Sequence, residues 1–143
     1  MSKYRTDGEA AGYNVICVNY GGYNPYNPSD EANLDVHYSE GMANPAPFTF
    51  YSTGKGLSGT DDWDLAWVSY LLSMRIIPVQ TISISYGETE RENLVGYAYH
   101  LCGLLMQLGA HGVSVLCASG NSGVGKGDCL TSNGSIRFGP CSL

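Results

Sequence analysis

The feature that most constrains this chain is the alternation of two hydrophobic periods. Short runs rich in β-branched and aromatic residues at 14–20 (NVICVNY), 48–52 (FTFYS), 81–86 (TISISY) and 113–118 (VSVLCA) alternate with stretches of helical spacing. Strand side chains repeat every two residues and helical ones every 3.6, so the two patterns specify different elements. Strands that alternate with helices build a parallel sheet covered by helices. The expected fold class is therefore α/β, a three-layer parallel sheet flanked by helices, in one domain that takes up all 143 residues.

Local signals set the expected helix ends. Ser29 is placed to cap a first helix whose opening turn holds Asp30 and Glu31, where negative charge meets the positive end of the helix dipole. A second helix is expected from a cap at Thr60, with Trp63, Ala66, Trp67, Tyr70, Leu71 and Met74 as one stripe, before Pro78. A third follows a Thr89–Glu92 capping box, burying Leu94, Tyr97, Ala98, Leu101, Leu105 and Leu108, and is stopped by Gly109 or Gly112. Sequence after Ser119 is glycine-rich and irregular.

Charge narrows the function classes. Seven basic against 13 acidic residues leave a net charge of −6, with no basic cluster to offset it, so nucleic acid is excluded as a partner. No apolar run approaches the roughly 18 residues of a membrane span, so no membrane partner is expected. The opening MSKYRTDGEAAGYN has no apolar core of the kind an export signal needs, which as written reads as cytoplasmic. Cys17, Cys102, Cys117, Cys129 and Cys141 contain no Cys-x-x-Cys pair, and the odd count leaves at least one thiol unbridged.

Several motifs have ordinary explanations. Residues 120–127 (GNSGVGKG) nearly fit a phosphate-binding loop, but Gly127 stands where Ser or Thr would hold magnesium, and no helix follows. Asp61, Asp62 and Asp64 read as helix-start acids rather than a cation site, and His37, His100 and His111 lack zinc-ligand spacing. The tyrosines of residues 19–31 (NYGGYNPYNPSDE) are expected to pack a loop onto the helices; the other reading makes them aromatic walls for a ligand.

Glu31 and Asp35 are four residues apart and share one face of a helix, about 5–6 Å between Cβ atoms. Two carboxylates that close can share a proton, which is acid–base chemistry, although most such pairs at a helix start form a solvated face.

The surrounding segment SDEANLDVHYSEGMANPAPFTFYST resembles the region around the catalytic acids of the sedolisins, serine-carboxyl peptidases that include the tripeptidyl peptidases. Their E-A-x-L-D pattern matches Glu31-Ala32-Asn33-Leu34-Asp35, and IPVQTISISYGETE, LCGLLMQLGAHGVSVL and SGNSGVGKGDC resemble later blocks in the same order. The resemblance covers about Asn14 to Cys129 and implies a partial subtilisin-like fold. In that family a serine attacks the peptide carbonyl, the glutamate removes its proton and the aspartate orients the glutamate. Glu31 and Asp35 inherit the acid roles, and Asn121 stands where the family has an oxyanion-stabilising Asp. An Asn can donate an N–H to an oxyanion directly, whereas an Asp donates only when protonated, so the resemblance implies a relaxed need for acid pH.

The family's nucleophile lies in a later Gly-Thr-Ser motif, in a second half of the domain that also holds a calcium site. The chain is therefore expected to be a truncated catalytic domain, lacking the first strand and the C-terminal half, with no cofactor or metal and no proteolysis alone. Cys129 and Cys141 resemble a family pair that closes the loop by a disulfide, and family members are secreted or lysosomal. The alternative expectation is a repurposed small domain whose cleft at Glu31, Asp35 and Asn121 binds a peptide or small molecule, or performs acid–base chemistry on it. An initial Met and a polar tail favour an independent domain, and bare sheet edges offer a route to a homo-oligomer.

Overall fold

The computed structural model describes residues 5, 12–55, 63–87 and 94–121. Element order is β1 (Asn14–Val18), α1 (Asp30–Ala43), β2 (Thr49–Thr53), α2 (Trp63–Leu72), β3 (Thr81–Ile84), α3 (Val95–Ala110) and β4 (Ser114–Cys117). The fold is α/β, and its strands pair in parallel. Two compact units divide the chain, Met1–Tyr70 and Leu71–Leu143, with α2 running across the division.

In the first unit β1 lies parallel to β2, with Asn14 opposite Thr49 and Val18 opposite Thr53. A parallel pair needs a crossover, and α1 supplies it. The chain leaves the carboxyl end of β1, so α1 begins at that edge and ends near the start of the strands. At that far end of α1 the Arg5 guanidinium donates to the carbonyl oxygens of Gly41 and Asn44. It satisfies carbonyls that the helix leaves unpaired and brings positive charge to the negative end of the dipole. At the same edge the rings of Tyr13 and Phe48 lie 6.0 Å apart. Val18, Val36 and Val68 are the buried aliphatic residues of this unit, and Tyr51 meets Tyr70 edge-on at 6.5 Å.

β1 is shorter than the apolar run suggests. It stops at Val18 because Asn19 and Tyr20 adopt φ of 49° and 63°, and the Gly21 N–H donates to the Val18 carbonyl at 2.9 Å. Those values define a type I′ turn, whose twist carries the chain sharply off the strand. Gly54 passes so close that a Cβ there would lie 2.6 Å from the Asn19 carbonyl oxygen.

In the second unit β3 and β4 are parallel, from Thr81 opposite Ser114 to Ile84 opposite Cys117. Leu71, Leu101, Leu108 and Val113 are its buried aliphatic residues. α3 ends in a Schellman motif: Val113 N–H donates to Leu108 C=O at 3.1 Å, and Gly112 N–H to Gly109 C=O at 2.9 Å. Gly112, at φ 83°, is the residue that stops the helix. Leu101 and Leu108 face inward as expected, but Leu94 does not: it precedes the first helical residue and is 81% exposed. Met74 likewise falls outside its expected stripe, because α2 ends at Leu72 and the Met74 N–H closes a turn onto Leu71 C=O. No helix among the described residues is long and apolar enough to cross a membrane.

Candidate functional site

The acid pair is positioned by the start of α1. Ser29 is extended, its hydroxyl oxygen accepts the Ala32 N–H at 3.2 Å, and its carbonyl accepts the Asn33 N–H at 3.0 Å. The side-chain and main-chain bonds together fix the first turn, which holds Asp30 and Glu31 at the positive end of the dipole. Asp35 follows one turn later on the same face.

Burial along α1 places that face. With about 100° between successive residues, Glu31 and Asp35 form one border of an inward arc that continues through Ser39, Ala32 and Val36 to Glu40. Glu31, Ala32, Asp35 and Ser39 are half-buried, while Val36 and Glu40 are buried. Leu34, Tyr38 and Met42 form an exposed stripe along the other side of the pair. The carboxylates thus lie on the seam between packed surface and solvent, not on the fully solvated face where helix-start acids ordinarily sit. His37 is exposed, pointing away from the acid face as its spacing requires.

The residues before α1 depart from expectation. Tyr20, Tyr23 and Tyr26 are all exposed, so the loop does not pack its tyrosines on the helices. Tyr23 instead meets Tyr13, hydroxyl to hydroxyl at 3.1 Å. That hydrogen bond, followed by burial and the nearby negative charge of Glu40, raises the Tyr13 phenol above its ordinary value.

Glu40 escaped the sequence reading. Its side chain is only 8% exposed and its Oε1 is buried without a hydrogen-bond partner among the described residues. The available signal was its position four residues after Val36 on the inward arc. Arg5 also escaped notice, because its contacts span 36 and 39 residues.

Elsewhere in the first unit, burial raises the Asp64 carboxyl above its ordinary value, and the Trp67 indole N–H, donating to Oδ1 at 3.2 Å, partly opposes this. Asn121 belongs to the second unit, exposed in a bend after β4. The β3–β4 ladder runs toward it through the Ala118 N–H, which donates to Ile84 C=O at 2.9 Å. Cys129, Cys141, Lys126, Thr60, Asp61, Asp62, Thr89 and Glu92 lie outside the described residues. Cys17 and Cys102 carry free, exposed thiols. Among the described residues no group of three His, Cys, Asp or Glu side chains is placed to hold a metal ion.

Comparison with known proteins gives the relatives of the chain as a whole. The chain is 38% identical over 127 residues to tripeptidyl-peptidase SED2 of Arthroderma otae, covering 78% of this chain and 21% of that protein. The chain is a sedolisin homologue. A probable tripeptidyl-peptidase SED3 of Arthroderma benhamiae is 32% identical to this sedolisin homologue over 157 aligned residues, 98% of this chain and 26% of that protein. Tripeptidyl-peptidase SED4 of Arthroderma otae is 34% identical over 138, covering 84% and 23%. The chain thus spans about a fifth to a quarter of the length of these curated relatives, and its origin is peptidase-like. No family model matches it, and no solved structure does.

Proposed function

We propose that this chain carries the carboxyl part of a serine-carboxyl peptidase site and that these 143 residues alone bind peptide without cleaving it. The observation that carries the reading is the seating of the E-A-x-L-D segment: a serine-capped helix start holds Glu31 and Asp35 half-buried on one face, at the border with solvent. Glu31 is the base, and Asp35, one turn further into the helix, orients it. The resemblance assigns an oxyanion role to the position of Asn121, which belongs to the second unit. No Gly-Thr-Ser tripeptide occurs in the 143 residues, which is why hydrolysis is not expected of them.

The test is incubation of the purified 143-residue protein and Glu31→Gln with a mixed peptide library from pH 3 to 8, read by mass spectrometry, alongside peptide-induced thermal stabilisation. The expected result is no cleavage, with stabilisation that Glu31→Gln removes. Cleavage that disappears in Glu31→Gln would overturn the non-cleaving reading and show that the acids activate another nucleophile. Equal peptide stabilisation of both proteins would overturn the role of Glu31.

A further inference from the structure

Tyr20 occupies a position that the backbone reserves for glycine. It is the second central residue of the Val18–Gly21 type I′ turn, at φ 63°, a left-handed conformation that glycine adopts freely and an aromatic residue adopts at a cost. Buried packing of the ring would offset that cost, but Tyr20 is 76% exposed. Among the described residues no burial of the ring offsets the strain, and such outliers concentrate where function requires them.

The turn is also held rigidly. Val18 C=O accepts N–H groups from both Gly21 and Gly54, at 2.9 and 3.0 Å. The Asn19 side-chain amide donates to Gly54 C=O at 3.2 Å, and the Ser52 hydroxyl donates to Gly22 C=O at 2.6 Å. A Cβ on Gly21 would collide with the Ser52 carbonyl, so the chain has no slack there. An exposed ring on a fixed backbone presents a flat apolar surface at little further entropic cost.

Topology sets the edge at which that surface stands. Tyr20 stands at the carboxyl end of β1, and the crossover begins α1, with Glu31, at the same edge of the parallel pair. Ligands of parallel α/β folds gather at that edge. We propose that Tyr20 is the platform on which one aromatic side chain of a bound peptide stacks, an inference that rests on the reading that the chain binds peptide.

The test compares Tyr20→Gly, Tyr20→Ala, Tyr20→Phe and Glu31→Gln with the parent protein. Calorimetric titration uses two probes, the pentapeptides Ala-Ala-Phe-Ala-Ala and Ala-Ala-Ala-Ala-Ala. Losing the ring should weaken the Phe-containing peptide about 3- to 10-fold, the span of an aromatic pair, and leave the all-Ala peptide within about twofold. Tyr20→Phe keeps the ring and should bind like the parent. Tyr20→Gly should melt at or above the parent temperature, since it relieves the left-handed strain, whereas Tyr20→Ala retains the strain and separates the two effects. Parent-like binding of the Phe-containing peptide by Tyr20→Gly and Tyr20→Ala would overturn the platform while leaving the acid pair intact. A melting temperature lowered in both Tyr20→Gly and Tyr20→Ala but kept in Tyr20→Phe, with parent-like peptide binding throughout, would also overturn it, making the ring structural. Weakened Tyr20 variants beside an unaffected Glu31→Gln would keep the platform and overturn the acid-pair reading, and a parent protein that binds neither peptide overturns both.

Discussion

The Ser29 hydroxyl oxygen accepts the Ala32 N–H at 3.2 Å, and the turn closed by that bond carries Glu31. Removing the cap costs a typical N-cap energy, so Ser29→Ala should lose about 1 kcal/mol of stability in urea denaturation. Glu31→Gln keeps both the cap and the side-chain volume and should lose less than Ser29→Ala, since the charge–dipole interaction is worth at most about 1 kcal/mol. A Glu31→Gln loss larger than that of Ser29→Ala would make the glutamate chiefly structural.

Two glycines are needed for different reasons and should respond differently. Gly112 has open space around it but φ of 83°, so Gly112→Ala should lose about 1–2 kcal/mol of backbone energy and little else. Gly54→Ala would press its Cβ against backbone atoms of Asn19, Tyr20 and Gly21 at 2.6–2.7 Å. Backbone cannot rotate away as a side chain can, so this overpacking should cost about 1–3 kcal/mol and also alter the Asn19–Tyr20 turn. Chemical shifts of Asn19 and Tyr20 that are unchanged in Gly54→Ala would count against the close approach.

Asp64 predicts a pH effect of definite sign. Burial raises its folded carboxyl above the ordinary value, so the folded protein holds this proton more tightly than the unfolded one. The group contributes stability when protonated in acid, and that contribution is lost as pH rises through the interval from the unfolded to the raised folded value. Asp64→Asn should therefore melt at a higher temperature than the parent at pH 7, with the gap closing toward pH 3. The side chain is partly exposed, which limits the gain to no more than about 1 kcal/mol. A parent protein that is the more stable at pH 7 would show that Asp64 serves an ion pair or the helix dipole instead.

Leu108 has 0% exposure and supplies the carbonyl that closes the Schellman motif. Leu108→Ala should lose about 2–5 kcal/mol, the range for a buried leucine, without disturbing the main-chain bond to Val113. Leu94→Ala, at an exposed position whose spacing continues the same stripe, should change stability by less than about 0.5 kcal/mol. Equal losses at the two sites would contradict the placement of Leu94 ahead of the helix.

Much of the secondary structure could be read locally. The Ser29 cap, the strand runs beginning at Asn14 and Thr81, and the glycine stop at Gly112 each depend on residues within about one turn of themselves. The acid pair was legible for the same reason, since an i, i+4 spacing on a helix needs no knowledge of the rest of the fold. Met74 and Leu94 mark the limit: periodicity continued past the helix end at Leu72 and before the helix start at Val95, because a repeating pattern does not say where hydrogen bonding stops.

By itself, the sequence determined the α/β class, the order of the elements and the placing of Glu31 and Asp35 on one helical face, all of which follow from spacing and capping over a few residues. Tertiary structure alone decided that Arg5 closes the far end of α1, that Glu40 is buried, and that Tyr20 takes a left-handed turn with its ring in solvent. Those outcomes depend on which strands meet in which register, and no local period encodes a contact made across 30 or more residues.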